Sequence, residues 1–179
     1  MTAATPDGGS LGEHGNVAFT LRGIDVIDLL EPLWLHLFDH HRSVGDAGIP
    51  VIGRERSWPR RRRLYEELFT EPDTFVVLAE QDDQLVGYAL CHIRRGADDT
   101  WDTGDRIGEI ETLILAADVR GEGVGTALMD AAEAELGRRG AATTLTAVLE
   151  GNDRAMDFYL QRGMKPTVTY LMKIRPEQS

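Results

Sequence analysis

The sequence is poor in cysteine and contains no long hydrophobic run. Among its 179 residues Cys91 is the one cysteine, which excludes an internal disulfide and a zinc site built on paired cysteines. We expect Cys91 to be a small core residue. No apolar stretch approaches the ~20 residues of a membrane-spanning helix, and residues 1–16 lack the charged start and apolar core of a signal peptide. These absences predict a cytoplasmic protein with no membrane partner.

Positive charge is also scarce. Nineteen Lys and Arg residues stand against thirty Asp and Glu residues, which gives a formal net charge of −11. Such a charge repels phosphate backbones in the long-range field, so nucleic acid is not expected as a partner. The same field attracts a cationic small molecule or a basic peptide.

The sequence does contain enough apolar material for one domain. Hydrophobic residues make up 42% of the chain and charged residues 27%, and a chain of this length has room for one domain of ~100–200 residues. Residues 1–16 are small, polar and glycine-rich without periodicity, which predicts a disordered tail. We expect the folded domain to span residues 17–179.

Hydrophobic periodicity predicts an α/β fold, a mixed sheet with helices on its faces. Strands are predicted at residues 17–22, 75–80, 85–93, 107–115, 143–149 and 167–174. Helices are predicted from residue 25 to about residue 41, around residues 64–69, and at 123–139 and 152–161. The polar residues 81–84 predict a hairpin, and residues 43–59, with their glycines and prolines, predict a long loop.

A glycine-rich turn follows the predicted strand at residues 107–115. Glycines let a phosphate approach the backbone, and free N–H groups at a helix N-terminus form an anion site suited to a pyrophosphate. The turn has no lysine for a Walker loop and lacks the third glycine of the dinucleotide fingerprint. It matches R-x-x-G-x-G through Arg120, Gly123 and Gly125. An ordinary turn that caps a helix is the alternative.

A second stretch places Asn152, Ala155, Met156, Tyr159 and Gly163 on one face of a predicted helix. Asn152 is suited to cap that helix and Gly163 to end it. A tyrosine on this face is also well placed to present its phenol to a ligand.

These two motifs, in this order and spacing, resemble the GNAT superfamily of N-acetyltransferases over roughly residues 107–164. The resemblance implies a single-domain, mixed and mostly antiparallel twisted sheet with helices on both faces, and it is compatible with a homodimer. It implies transfer of an acetyl group from acetyl-CoA to a primary amine of a small molecule or peptide, by direct attack in a ternary complex. A non-catalytic acyl-CoA-binding sensor or regulatory module is the alternative.

The resemblance also implies a coenzyme site. The pyrophosphate would lie on the backbone amides of the glycine turn, the pantetheine arm along the end of the preceding strand and beside Asn152, and the thioester sulfur beside Tyr159. Arg120 would act mainly through its backbone and the turn. The implied coenzyme-binding residues are Leu113, Ile114, Leu115, Arg120, Gly121, Glu122, Gly123, Val124, Gly125, Thr126, Asn152 and Tyr159.

Acetyl transfer to an amine needs a base for the amine and an acid for the departing thiolate. We predict Tyr159 as the general acid, with backbone N–H groups near Leu115 polarising the acetyl carbonyl. Glu111 is predicted as the base, acting through a water, because strand alternation puts Glu109 and Glu111 on the face of Leu113 and Leu115. A solvated strand end is the alternative for both glutamates.

The acceptor is open between a polyamine, an aminoglycoside, an amino acid and a protein lysine, and the motifs do not report the acyl chain length. Ribosomal-protein N-terminal acetylases of the family often carry a glutamate where this chain has Ala147, which argues against that substrate class. We expect the acceptor pocket to be formed by the first helix and the segments 43–59 and 94–106.

Two further groups of residues stand out. His36, His40 and His41 have no glutamate or cysteine beside them for a zinc site, so no metal is predicted. His41 is a second candidate to face the acceptor amine, as base or binding group. The run Arg60–Arg63 is suited to grip the coenzyme 3′-phosphate, an acidic partner or RNA, or forms a solvated helix turn.

Overall fold

The computed structural model describes residues 8–45, 48, 50–96 and 100–174. Its centre is one six-stranded sheet whose spatial order follows the chain. The strands are β1 (Gly9–His14), β2 (Val17–Arg22), β3 (Phe75–Gln81), β4 (Gln84–Arg95), β5 (Arg106–Leu115) and β6 (Thr143–Thr146). Every neighbouring pair is antiparallel except β5 and β6, which are parallel. The prediction of a mixed, mostly antiparallel sheet is confirmed.

Four α-helices accompany the sheet in the part of the chain that is described. They are α1 (Glu31–Val44), α2 (Arg54–Leu68), α3 (Val124–Arg138) and α4 (Asp153–Gln161), with short 3₁₀ helices at Ile24–Leu30 and Ala117–Val119. None of these helices is both long and apolar enough to cross a membrane.

The helices bury the two faces of the sheet separately. On one face, Trp34 of α1 and Tyr65 of α2 pack in a cluster with Tyr88 of β4. On the other face, Leu128 and Leu136 of α3 pack in a second cluster that includes the fully buried Cys91. The prediction of helices on both faces of the sheet is therefore confirmed, and so is the prediction that Cys91 is a core residue.

The β3–β4 hairpin closes as predicted. Asp82 and Asp83, the two residues between the strands, have φ of 49° and 61°, the pair of left-handed conformations that a type I′ hairpin turn requires. The turn matches the right-handed twist of its strands, which fixes the register of the two central strands.

The prediction of a disordered tail over residues 1–16 is wrong for residues 9–14. Gly9–His14 forms strand β1, which pairs antiparallel with β2, and the half-buried Leu11 packs against the core on the α3 side. Glycine-rich composition hid this strand, because its stability comes from pairing with β2 rather than from its own side chains. Residues 1–7 of the predicted tail lie outside the described residues.

The predicted loop at residues 43–59 is too long. Helix α1 continues to Val44 and α2 begins at Arg54 with Pro59 inside it. The proline forfeits one helical hydrogen bond, but the neighbouring Trp58 is 6% exposed and Ser57 accepts a 2.9 Å hydrogen bond from the Trp34 indole. Tertiary burial of this turn outweighs the local signal of the proline.

The last predicted strand, at residues 167–174, is absent. These residues have no regular structure, and Tyr170 and Leu171 are 87% and 94% exposed. The alternation of apolar residues is typical of a strand, but β-propensity stabilises a segment only when it has a partner strand and a face to bury.

The contrast between buried and exposed leucines gives a stability prediction. We expect Leu136→Ala to lower the free energy of unfolding by about 2–5 kcal/mol, because Leu136 is 0% exposed and α3 contacts β5 closely through it. Leu171→Ala, at 94% exposure, should leave the free energy of unfolding unchanged within about 0.5 kcal/mol. Urea unfolding measures both. An equal loss in the two variants would contradict the described placement of residues 167–174.

Candidate active site

A glycine turn joins strand β5 to helix α3. Gly121 and Gly123 have φ of +88° and +85°, the left-handed region that glycine adopts without strain. Helix α3 begins at Val124, and no side chain caps its N-terminus. The first N–H groups of the helix and the positive end of its dipole are therefore available at the turn. This combination has the elements of an anion site.

The other residues of the turn contribute backbone and shape. Val124 is 2% exposed, so its side chain belongs to the core. A Cβ on Gly125 would lie 3.2 Å from Leu115 Cδ1, so a side chain there would crowd the end of β5. Thr126 borders a cavity of about 430 Å³ that Phe158, Gln161 and Arg162 also line, between α3 and α4.

Arg120 ties the turn to the end of β5. Its Nε and Nη2 donate to the Leu115 carbonyl at 3.1 and 2.8 Å. Burial, and secondly the nearby positive charge of Arg154, lower the pKa of Arg120. The side chain of Arg120 thus has a structural role that the sequence did not indicate, and Arg154 adds a second cation beside it.

His14 contacts the same turn from strand β1. Its Nε2 donates to the carbonyl of Glu122, at 2.8 Å, and a Cβ on Gly123 would lie 2.9 Å from the same nitrogen. The sequence does not indicate His14 as a site residue, because it lies in residues 1–16, for which the sequence predicts a disordered tail. Only the pairing of β1 with β2 brings it to the turn.

Strands β5 and β6 separate beside the turn. Ile107–Ile110 pair with Thr143–Thr146, whereas the following residues up to Leu115 pair only with β4. Strand β6 ends three residues earlier than the sequence predicts, and the Thr146 hydroxyl donates to the Ile110 carbonyl at 2.9 Å where the pairing stops. Beyond that point, no described strand covers the edge of β5 that faces away from β4 over residues 113–115, and the Leu115 carbonyl is bound by Arg120.

A β-bulge in β5 decides where Glu111 points. Cys91 pairs with Ile110 and the next residue back, Leu90, pairs with Thr112, so Glu111 is the extra residue of β5. A bulge interrupts the alternation of faces. Leu113 and Leu115 consequently pack on the α3 side, while Glu111 contacts Arg61 of α2 on the opposite face. The prediction that the two glutamates share a face with the two leucines is wrong.

Glu109 and Glu111 meet His92 on the α1–α2 side. Ligand atoms of the three residues lie within 4.8 Å of one another, and no other group of three potential metal ligands occurs among the described residues. Glu109 accepts from Arg94 Nη1 at 3.2 Å, and Glu111 Oε1 accepts from Arg61 Nη1. Burial lowers the pKa of His92. The negative charges of Glu109 and Glu111 act in the opposite direction, but the effect of burial is larger. Each glutamate thus has an arginine partner rather than lying free in solvent.

Asn152 and Tyr159 lie at opposite ends of helix α4. The Asn152 side chain accepts from the Ala155 N–H at 3.3 Å and caps the helix. Tyr159 packs against the core on the α3 side, and its phenol lies near the side chain of Thr146. Burial raises the pKa of Tyr159, so the phenol keeps its proton at neutral pH. Through Thr146, the phenol is connected to the point where β5 and β6 separate.

A cavity of about 390 Å³ opens between α1 and α2. Its lining residues are Trp34, Phe38, His41, Ile52, Ser57, Arg60, Arg61 and Leu64. The Arg61 guanidinium lies 4.0 Å from the centre of the Trp34 ring and also binds Glu111. The cavity is therefore linked to the bulge of β5 by one side chain. Helix α1 and the segment 43–59, two of the three segments from which the sequence predicts an acceptor pocket, line this cavity, and none of its described lining residues comes from 94–106.

The arginine run and the histidines are distributed around this cavity. Arg62 points away from it to Asp28 and Glu66, at 3.2 and 3.4 Å, and Arg63 is exposed. Burial, then the charges of His40 and Arg61, lower the pKa of His41. Hence His41 is neutral at physiological pH where it lines the cavity.

Comparison with known proteins gives one family. Residues 35–164 match the acetyltransferase (GNAT) family. An uncharacterized N-acetyltransferase of Mycobacterium tuberculosis is 32% identical over 101 residues, which are 56% of this chain and 59% of that protein. A protein of the same description from Mycobacterium bovis matches equally. The match thus spans less than two thirds of these relatives.

Solved structures share the fold. A GCN5-related N-acetyltransferase from Ralstonia eutropha JMP134 superposes with a TM-score of 0.71 at 19% identity, over 88% of this chain and 98% of that one. A predicted acetyltransferase with acetyl-CoA from Clostridium acetobutylicum superposes with a TM-score of 0.67 at 17% identity, over 88% of this chain and 96% of that one. Aminoglycoside N-acetyltransferase AAC(6')-Iy in complex with CoA superposes with a TM-score of 0.66 at 15% identity, over 96% of this chain and 99% of that one.

Proposed function

Because the chain belongs to the GNAT acetyltransferase family, we propose that it transfers an acetyl group from acetyl-CoA to a primary amine of a small molecule or peptide, by direct attack in a ternary complex. The observation that carries the proposal is the unpaired end of β5 beside an uncapped helix N-terminus. Solved neighbours of the same fold contain CoA or acetyl-CoA. In this proposal the catalytic domain includes strand β1 as well as residues 17–179.

The glycine turn fits the pyrophosphate of the coenzyme. Space is open at Gly121, where an added Cβ would meet nothing within 4 Å. The N–H groups of Gly121–Thr126 are fixed dipoles, so they attract an anion even in a chain of net charge −11. Arg120 and Arg154 add positive charge close to the turn.

The open end of β5 fits the pantetheine arm. Peptide-like groups commonly bind by adding to an unpaired strand edge, where their amides replace the missing strand partner. Residues Leu113–Leu115 have such an edge on the side that β6 leaves. We assign the Asn152 side chain, whose oxygen caps α4, to this arm through its amide NH₂ group, which donates to no described residue.

Tyr159 is proposed as the general acid. Acetyl-CoA supplies a thioester carbon, to which the amine nitrogen bonds as the carbon–sulfur bond breaks. The departing thiolate needs a proton, and the raised pKa of Tyr159 keeps that proton on the phenol until then. A backbone N–H near Leu115 stabilises the developing charge on the carbonyl oxygen.

Glu111 is proposed as the base that takes the proton from the amine, directly or through a water. One of its oxygens is bound to Arg61, and the other has no hydrogen bond to any described residue. The bulge puts this carboxylate on the face of the sheet that α1 and α2 cover, where Arg61 connects it to the cavity between these helices. The amine and the thioester would thus approach the opening from opposite faces of the sheet.

The proposed partners follow from charge and family. The acceptor amine is a small molecule or peptide, and the net charge of −11 disfavours nucleic acid and anionic membranes. A cytoplasmic location and a homodimer stay predictions. Size-exclusion chromatography with light scattering would test the dimer, and a single-protomer mass would contradict it.

The coenzyme site is tested by Gly123→Ala. The left-handed φ of +85° costs an alanine ~1–2 kcal/mol, and the new methyl would meet His14, so we expect the Kd for acetyl-CoA to rise about tenfold. Gly137→Ala is the matched control in α3, because its Cβ would meet nothing within 4 Å. Isothermal titration calorimetry measures both. An unchanged Kd in Gly123→Ala would remove the turn from the coenzyme site.

The acid is tested by Tyr159→Phe. We expect kcat to fall roughly 10²-fold or more, because the thiolate loses its proton donor, with the Kd for acetyl-CoA unchanged. Free-thiol release from acetyl-CoA is measured with a polyamine, an aminoglycoside, amino acids and a lysine peptide. Tyr170→Phe is the control, at 87% exposure. Wild-type turnover in Tyr159→Phe would end the acid assignment, and tight binding without thiol release in the unmodified protein would support the sensor alternative.

The base is tested by Glu111→Gln, which keeps the shape of the side chain and removes its basicity. We expect kcat to fall at least about tenfold, and the acid limb of the pH–rate profile to change. Glu67→Gln, on the exposed side of α2, is the control. If Glu111→Gln retains both the rate and the pH profile, the proton acceptor is another group, and His41 is the next to substitute.

A further inference from the structure

The cavity between α1 and α2 has an unusual charge for this chain. The protein as a whole is acidic, with a net charge of −11, yet none of the described residues that line the cavity carries a carboxylate. Arg60 and Arg61 both line it. The nearby acids have partners, since Asp39 binds Arg54 and Glu111 binds Arg61. Because Glu111 balances Arg61, the positive charge of the cavity comes from Arg60, and this charge disfavours a polycationic acceptor.

The two arginines differ in what they contact. Arg61 is held between Glu111 and the face of Trp34. Arg60 has no ion pair or hydrogen bond within the described part of the chain. A guanidinium that lines a cavity without a partner presents several N–H donors in a planar fork, which matches a carboxylate. Arg60 is thus the group available to an anion in this cavity.

The remaining walls are apolar. Trp34 and Phe38 contribute aromatic rings and Ile52 and Leu64 aliphatic side chains, so the cavity favours a hydrophobic body. A volume of about 390 Å³ accommodates a small molecule of amino-acid size.

The same charges favour the reactive form of an acceptor. An amine must lose its proton before it attacks a thioester, and neighbouring cations lower the pKa of a bound ammonium group. The groups that face the cavity are Arg60, Arg61 and the neutral His41. Because Glu111 balances Arg61, the effect on a bound amine comes mainly from Arg60, whose positive charge disfavours the protonated form.

We propose that the acceptor is a small amine that carries a carboxylate and an apolar body, of the class of hydrophobic amino acids. The carboxylate binds Arg60, and the body packs against Trp34 and Phe38. This assignment rests on the proposed acetyl transfer and selects one of the acceptor classes that the sequence leaves open. It also separates this chain from the aminoglycoside enzyme that shares its fold, because aminoglycosides are polycations.

The test compares two amines that differ only by the carboxylate, phenylalanine and phenethylamine. With the unmodified protein, we expect kcat/KM for acetylation of phenylalanine to exceed that of phenethylamine by about tenfold or more, which is the worth of a charge-assisted hydrogen bond. Spermidine and kanamycin, as polycations, should be acetylated more slowly than phenylalanine. Product formation is followed by mass spectrometry beside thiol release.

Substitution of Arg60 tests whether its guanidinium causes the preference for phenylalanine over phenethylamine. Arg60→Ala should bring the phenylalanine to phenethylamine ratio close to one, mainly through KM, and Arg60→Lys should restore part of it. Arg63→Ala is the matched control, because it removes an exposed arginine of the same helix that does not line the cavity and should leave the ratio unchanged. Loss of the ratio in Arg60→Ala alone supports the proposal.

Calorimetric measurement of acetyl-CoA binding distinguishes a failure of the acceptor proposal from a failure of the proposed acetyl transfer. If acetyl-CoA binds and spermidine or kanamycin is preferred to phenylalanine, the acceptor proposal is overturned while acetyl transfer stands. The acceptor proposal alone is likewise overturned if the preference for phenylalanine persists in Arg60→Ala. It is also overturned if the protein binds acetyl-CoA but acetylates neither phenylalanine nor phenethylamine. If acetyl-CoA does not bind at all, the proposed function itself is overturned.

Discussion

The separation of β5 from β6 after Ile110 is the feature on which the candidate site depends. A parallel pair that stayed together would satisfy the backbone of β5 and close the sheet. Instead the pairing ends at Thr146, and beside the glycine turn the end of β5 keeps an edge that no described strand covers. The Thr146 hydroxyl marks this point, since it donates to the Ile110 carbonyl and lies near the phenol of Tyr159. Backbone recognition, the turn and the phenol are therefore arranged around one interruption of the sheet.

The bulge at Glu111 turns that interruption into a site with two sides. Without the extra residue, Glu111 would follow the alternation of Leu113 and Leu115 and face α3. With it, the carboxylate faces α1 and α2 and binds Arg61. The glycine turn and Tyr159 belong to the α3 side, while the two carboxylates and the cavity belong to the other side. A single inserted residue thus separates the proposed donor site from the proposed acceptor site.

The distribution of charge is equally uneven. The acidic surface repels large polyanions, yet both proposed ligand sites contain cationic or positively polarised groups. At the turn these are backbone amides with Arg120 and Arg154. In the cavity they are Arg60 and Arg61. Local donors act over a few ångströms, where net charge matters less than placement.

The sequence by itself determined the local features of this protein. Val17–Arg22, the aspartate hairpin and the helix after the glycine turn follow from alternation, turn chemistry and helical periodicity, and these are short-range signals. Asn152 as a cap and Cys91 as a core residue follow for the same reason. The family resemblance rests on the same two segments that form the turn and helix α4.

Tertiary structure decided what depends on partners distant in the chain. Strand β1 exists because β2 offers it an edge, and residues 167–174 lack a strand because no described strand pairs with them. The face of Glu111 depends on the register between β4 and β5, which a period-two pattern cannot reveal. Likewise His14 reaches the glycine turn, and Arg60 the α1–α2 cavity, through packing of separate elements. Local propensity is encoded in neighbouring residues, whereas register, pairing and cavities arise only when distant segments compete for the same partners.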